Sequence, residues 1–129
     1  MNKNLLYAED DPKVRETMTM AFGFILPGVR VEAVKNGRDL VERYKTGQYD
    51  VIVTDGDMDP GIHGLEAMEE IRAYENQVGR NPTPAIFYSG RITPDVSERC
   101  SKIGGVEALA KPADLSVIKS KVMTALQIS

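Results

Sequence analysis

Two hydrophobic rhythms alternate along this chain. Short apolar runs, Leu5-Leu6-Tyr7-Ala8, Val29 to Val34, Val51-Ile52-Val53, Ala85-Ile86-Phe87-Tyr88 and Val106 to Ala110, have the length and the content of β-strands. Between them apolar residues recur every three or four positions, the spacing of one helix face. Val14, Met18, Ala21, Phe22 and Ile25 form the first such face, Leu40, Val41 and Tyr44 the second, and Leu65, Met68, Ile71 and Tyr74 the third. Val96, Cys100 and Ile103 form the fourth, and Leu115, Ile118, Val122 and Leu126 the fifth. The punctuation agrees. Asp11-Pro12, Asn36-Gly37, Thr93-Pro94 and Asp114 start helices, as capping residues with proline at the first helical position do. Pro27-Gly28, Gly79 to Pro84 and Gly104-Gly105 end them.

Strands that alternate with helices predict an α/β fold: a parallel sheet covered on both faces, joined by right-handed crossovers. Val51 to Val53 is an unbroken β-branched run, as expected of a strand buried on both sides. A length of 129 residues accommodates one domain, 1–129, with a proper core. The net charge of -3 offers no basic footprint for nucleic acid. The single cysteine, Cys100, permits no internal disulfide. No apolar run reaches membrane-spanning length, and Met1-Asn2-Lys3-Asn4 is not followed by a secretory h-region. The expectation is a cytoplasmic protein with neither nucleic acid nor membrane as partner.

In a parallel sheet every strand points its carboxyl end to one edge, and ligands bind there. That edge collects Glu9 and Asp10 after the first strand, Asp55 at the end of the third, Ser89 after the fourth and Lys111 after the fifth. The set is chemically coherent. Hard carboxylate oxygens hold Mg²⁺, a carboxylate can attack phosphorus to form an acyl phosphate, and an ammonium offsets the charge of a transferring phosphoryl group. A serine hydroxyl can donate to one phosphoryl oxygen. Taken singly, Asp55 reads as a helix cap, Ser89 as a strand-end hydroxyl and Lys111 as a surface lysine; the shared edge raises them above those readings. Asp11 reads as a cap only, His63 as a loop residue without a catalytic partner, and Cys100 as core.

The segments Leu5-Leu6-Tyr7-Ala8-Glu9-Asp10-Asp11-Pro12, Tyr49 to Asp55, Pro60-Gly61 with Gly64-Leu65-Glu66, Phe87-Tyr88-Ser89-Gly90 and Ala110-Lys111-Pro112 together resemble the receiver domains of two-component response regulators. The resemblance spans essentially the whole chain. It implies a flavodoxin-like, doubly wound sheet of five parallel strands in the order 2-1-3-4-5, with five helices. It implies Asp55 as phosphoacceptor, Glu9 and Asp10 as the acidic metal pair, Ser89 as the Ser/Thr switch position and Lys111 as the family lysine before a cis proline. It also implies Mg²⁺ as cofactor, with Mn²⁺ able to substitute. The implied donor is a sensor histidine kinase or a phosphotransfer protein, and the implied output is contact with a partner that the sequence does not name.

Three positions depart from the family pattern. Asp55 and Pro60 are five residues apart rather than four, which places an inserted residue near Asp59. Asp57, two after the phosphoacceptor, is a further acid at a position whose carbonyl helps hold the metal, and it is therefore expected in the metal set. Ala108 stands where the family carries an aromatic ring, three residues before the lysine. Two rival readings follow: an atypical receiver acting as a phosphorylation-independent interaction domain, and a haloacid-dehalogenase-type phosphatase using Asp55 and Asp57. In the phosphatase family, however, the Asp-x-Asp motif closes the first strand rather than the third.

Overall fold

Strands and helices alternate throughout: β1 (Lys3–Ala8), α1 (Pro12–Ile25), β2 (Val29–Val34), α2 (Gly37–Thr46), β3 (Val51–Asp55), α3 (Gly64–Val78), β4 (Ala85–Ser89), α4 (Pro94–Ile103), β5 (Val106–Ala110) and α5 (Leu115–Ala125). The structure, a computed structural model, describes residues 2–56 and 63–127. The strands form one sheet in the order β2-β1-β3-β4-β5, with every neighbouring pair parallel. This is the order that the receiver resemblance implies, and it puts β3 at the centre.

The pleat explains why the central strands carry no polar alternation. Leu5 and Tyr7 of β1, with Val51 and Val53 of β3, face Phe22 and Leu26 on the α1 side and Ile118 and Val122 of α5. Leu6 and Ala8, with Ile52, face Leu40, Val41 and Tyr44 of α2 and Met68 and Ile71 of α3. Both faces are therefore core, and each fully buried large side chain contributes about 1.5–3 kcal/mol. A smaller cluster of Leu65, Phe87 and Cys100 lies beneath α4, and the expectation that Cys100 is core holds.

The caps follow the sequence. Asp11 accepts from the backbone of Lys13 and Val14, and Asn36 from that of Asp39; each satisfies helix N–H groups that have no partner within the helix. Asp114 occupies the N-cap of α5 but makes no side-chain cap bond. Two expected core positions turn outward. Val14 is 40% and Leu115 43% exposed. Both lie in the first turn of their helices, at the carboxyl edge of the sheet, and the packed face begins about one turn later, at half-buried Met18 and buried Ile118.

The opposite edge of the sheet is held by a buried polar network. Glu75, 1% exposed, accepts from the Tyr44 hydroxyl (2.6 Å), the Thr83 amide (2.8 Å) and the Arg72 guanidinium (2.8 Å). Arg72 also donates to the carbonyls of Thr83 and Gly104. The network ties the ends of α2 and α3 to the approaches of β4 and β5. Among the described residues, no helix is long and apolar enough to cross a membrane.

Candidate functional site

The carboxyl edge brings the expected residues together. The Glu9 amide continues the β1–β2 ladder by donating to the Val34 carbonyl (3.0 Å), and the Glu9 carboxylate turns back to accept from the Asp11 amide (3.2 Å). Asp55 closes β3 and is 7% exposed. Its Oδ1 accepts from Lys111 Nζ (2.8 Å) and from the Gly56 amide (2.9 Å). Lys111 Nζ also lies 3.8 Å from Glu9 Oε1. Ser89 is buried at the end of β4; its hydroxyl accepts from the Arg91 amide (3.1 Å), and its carbonyl accepts from the Lys111 amide (2.8 Å). The Lys111–Pro112 peptide bond is cis.

Two glycines fit this edge because a side chain would not. A Cβ on Gly56 would lie 2.6 Å from Ser89 Oγ and 2.9 Å from the Phe87 ring, and one on Gly64 would collide with the Asp55 carbonyl oxygen. Sequence punctuation marks both as loop residues; the structural reason is close approach to the site.

Glu9, Asp10 and Asp55 each offer a carboxylate oxygen, and the three lie within 4.8 Å of one another. That donor set is hard and anionic, the kind that a divalent magnesium or manganese ion takes. The electrostatics agree. Burial pushes the Glu9 carboxyl up to about 7, and the Asp55 charge and a hydrogen bond with Asp10 add to the rise; the Asp11 amide and Lys111 oppose it. Burial works to lower the Lys111 pKa, but the hydrogen bond to Asp55 and the charges of Asp55 and Glu9 outweigh it, and the net shift is upward. The Tyr7 phenol, buried below the cluster, is raised well above its ordinary value by burial and then by Glu9 and Asp55. Glu9 and Asp55 are buried and Asp10 is half-buried, and carboxylate oxygens gathered this closely fit a divalent cation.

Glu9, Asp10, Asp55, Ser89 and Lys111 are thus gathered as the sequence expects, and Asp11 is a cap. Asp57, the inserted residue near Asp59, and Pro60 lie outside the described residues. His63 is exposed and forms the N-cap position of α3 without a side-chain cap bond. Ala108 pairs across from Phe87, and both belong to the small cluster under α4, so the large ring is on β4 and the small residue on β5. Sequence reasoning missed two neighbours of the site. Arg15, one turn into α1, donates to the carbonyls of Glu9 (2.8 Å) and Asp10 (3.4 Å) and so braces the loop that carries both acids. Tyr88, read only as a strand residue, places its ring beside Lys111. Arg15 could have been found as a cation one turn after the acidic pair; nothing in the local pattern points to Tyr88.

Comparison with known proteins gives a consistent picture. Residues 5–123 match the family model described as the response regulator receiver domain. Regulatory protein AtoC of Escherichia coli is 27% identical over 124 residues, covering 96% of this chain and 25% of AtoC. The chain therefore spans about a quarter of that relative's length. Among solved structures, the receiver domain of the Francisella response regulator 1452 superposes with a TM-score of 0.81 at 24% identity, covering 98% of each chain. The receiver domain of sensor histidine kinase PA1611 from Pseudomonas aeruginosa, described with a magnesium ion coordinated in its active site cleft, gives a TM-score of 0.80 at 23% identity, covering 98% of this chain and 99% of its own.

Proposed function

This chain belongs to the response regulator receiver domain family, and from that membership we propose that Asp55 is its phosphoacceptor, charged by a sensor histidine kinase or a phosphotransfer protein. The observation that carries the assignment is the 2.8 Å pair between Asp55 Oδ1 and Lys111 Nζ on the central strand. Among the described residues, both hydrogen bonds to the Asp55 carboxylate go to Oδ1. On this reading Oδ2 is the nucleophile. Its lone pair forms the new O–P bond as the P–N bond of a phosphohistidine breaks, and the electron pair leaves with the imidazole. Lys111 then pairs with a phosphoryl oxygen, and the Ser89 hydroxyl, buried at the same sheet edge, would donate to another. Water later attacks phosphorus as the bond from Oδ2 to phosphorus breaks; the electron pair returns to the carboxylate, inorganic phosphate leaves, and the proton of the water passes to solvent. The chain takes the phosphoryl group onto its own carboxylate and acts as a signalling domain.

Glu9, Asp10 and Asp55 would hold Mg²⁺, as the Pseudomonas neighbour holds magnesium in its cleft. The ion, when bound, offsets the charge of the phosphoryl group being transferred. On sequence grounds Asp57 remains a fourth donor, and Asp57→Asn should weaken Mg²⁺ binding in a thermal-melt titration. The phosphatase reading has Asp55 on a central third strand against it.

Incubation with acetyl phosphate and Mg²⁺, followed by intact-mass measurement, tests the proposal. One added phosphoryl group, absent in Asp55→Asn and mapped to Asp55 after borohydride trapping, is the expected result. Label on another residue, or steady phosphate release from many phosphomonoesters, would overturn it.

A further inference from the structure

Tyr88 meets the tip of Lys111 and the backbone just beyond it. Its backbone lies in β4, one residue before Ser89, and its carbonyl accepts from the Gly56 amide (3.3 Å). Its ring faces the sheet side shared with α1 and α5, opposite to Phe87. The Lys111 ammonium stands over that ring, 5.1 Å from its centroid, and the Tyr88 hydroxyl accepts from the Ala113 amide (3.2 Å). One side chain therefore contacts the charged tip of Lys111 and the backbone two residues beyond it.

We propose that Tyr88 is a positioning residue for Lys111: its ring face retains the ammonium over the site, and its hydroxyl fixes the turn from which the lysine springs. The inference rests on the reading of Asp55 and Lys111 as phosphoacceptor and partner. A lysine stem has four carbons and many rotamers, and holding it in one place is entropically unfavourable. The Lys111 side chain is 30% exposed, so burial alone does not confine it. The ion pair with Asp55 confines it only while Oδ1 is the acceptor. When Asp55 carries a phosphoryl group, the ammonium must leave Oδ1 for a phosphoryl oxygen. A hydrogen bond is lost in such a move. Attraction to a ring face is less directional and persists over a displacement of this kind, since it operates out to about 6 Å. The hydroxyl bond to Ala113 acts separately, on the backbone.

Three variants separate ring from hydroxyl. Tyr88→Phe keeps the ring and removes the hydroxyl, Tyr88→Leu removes both, and Tyr88→Met does so with an unbranched side chain should the Leu variant fail to fold. The first readout is the NMR spectrum of lysine-labelled protein without any phosphodonor. The εCH₂ protons of Lys111 should be shifted upfield by the ring current in the native protein and in Tyr88→Phe, and should return to ordinary lysine values in the aliphatic variants. Exchange of the Ala113 amide should accelerate in all three. The second readout is the rate of phosphorylation by acetyl phosphate at saturating Mg²⁺. It should fall roughly two- to thirtyfold in the aliphatic variants, the range to which a cation–π contact corresponds, and be rescued in Tyr88→Phe to within about twofold. Unshifted Lys111 resonances in the native protein, or aliphatic variants that match Tyr88→Phe in rate, would overturn the proposal. Failure of the native protein to take up a phosphoryl group would instead overturn the assignment of Asp55, because the resonance test needs no phosphodonor.

Discussion

Replacing Glu9 by glutamine should make the metal-free protein more stable at neutral and alkaline pH, by an amount that grows as pH rises from about 4.5 to about 7 and then levels off. Glu9 is 4% exposed and its carboxyl is raised from 4.5 to about 7. The folded protein therefore binds that proton more tightly than the unfolded chain does. Stability associated with Glu9 is fully present below about pH 4.5, falls as pH rises from there, and is lost above the folded value near 7. The difference corresponds to about 3 kcal/mol. In a domain of this size that is a shift in Tm of roughly 10 °C. Glu9→Gln abolishes this titration, and the groups that its charge raises, Lys111 and Tyr7, titrate above this window in both proteins. Lys111, also raised, contributes evenly across this window, since its stabilisation is lost only as pH climbs through its folded value. The assay is urea denaturation of both proteins in chelator from pH 4.5 to 8, with the two curves subtracted. The difference should widen by about 3 kcal/mol in favour of the glutamine variant. Mg²⁺ should then stabilise the wild type, about 2.7 kcal/mol at 100 times its dissociation constant, and the variant less. A difference that stays flat with pH would refute the argument that Glu9 is destabilised by burial among like charges.

Gly56→Ala should push against Ser89 and Phe87, lower stability by about 1–3 kcal/mol, and slow phosphorylation, measured by denaturant melts and acetyl phosphate labelling. Lys111→Met removes the cation between Asp55 and Glu9; because the lysine is 30% exposed, the loss of stability without Mg²⁺ should stay near 1–3 kcal/mol, below that of a fully buried pair, while labelling of Asp55 should fall far more steeply. Tyr44→Phe should destabilise by about 1–3 kcal/mol, because the buried Glu75 carboxylate loses one donor, and should leave the labelling rate of Asp55 unchanged.

Regular structure was largely legible in the chain because its cues are local. The bounds of β2 and β5 coincide with the apolar runs, and Asp11, Asn36 and Thr93 cap the helices they precede. The carboxylates, Ser89 and Lys111 were legible because parallel topology sends every strand end to one edge. What escaped depends on contacts between distant segments. Tyr44 registers in the sequence as an apolar position, yet its hydroxyl holds an acid thirty-one residues away. The side chains of Arg15 and Tyr88 acquire meaning only when backbone carbonyls and an ammonium arrive beside them. Val14 and Leu115 fit the helical rhythm, but rhythm does not reveal where the sheet beneath a helix stops.

The network around Glu75 makes the molecule one-ended. Removing any of its three donors leaves a buried charge short of a partner, so opening the junction of α2, α3, β4 and β5 is costly, and the junction is expected to stay closed when Asp55 carries a phosphoryl group. On the proposed function, phosphorylation is expected to rearrange the carboxyl end of the sheet, and a protein that gripped the clamped end would then meet the same surface in both states. That end is accordingly the place for a tether, a reporter dye or an immobilising tag: attached near Lys45 or Tyr74, it gives a fixed frame against which movement of the other end can be measured.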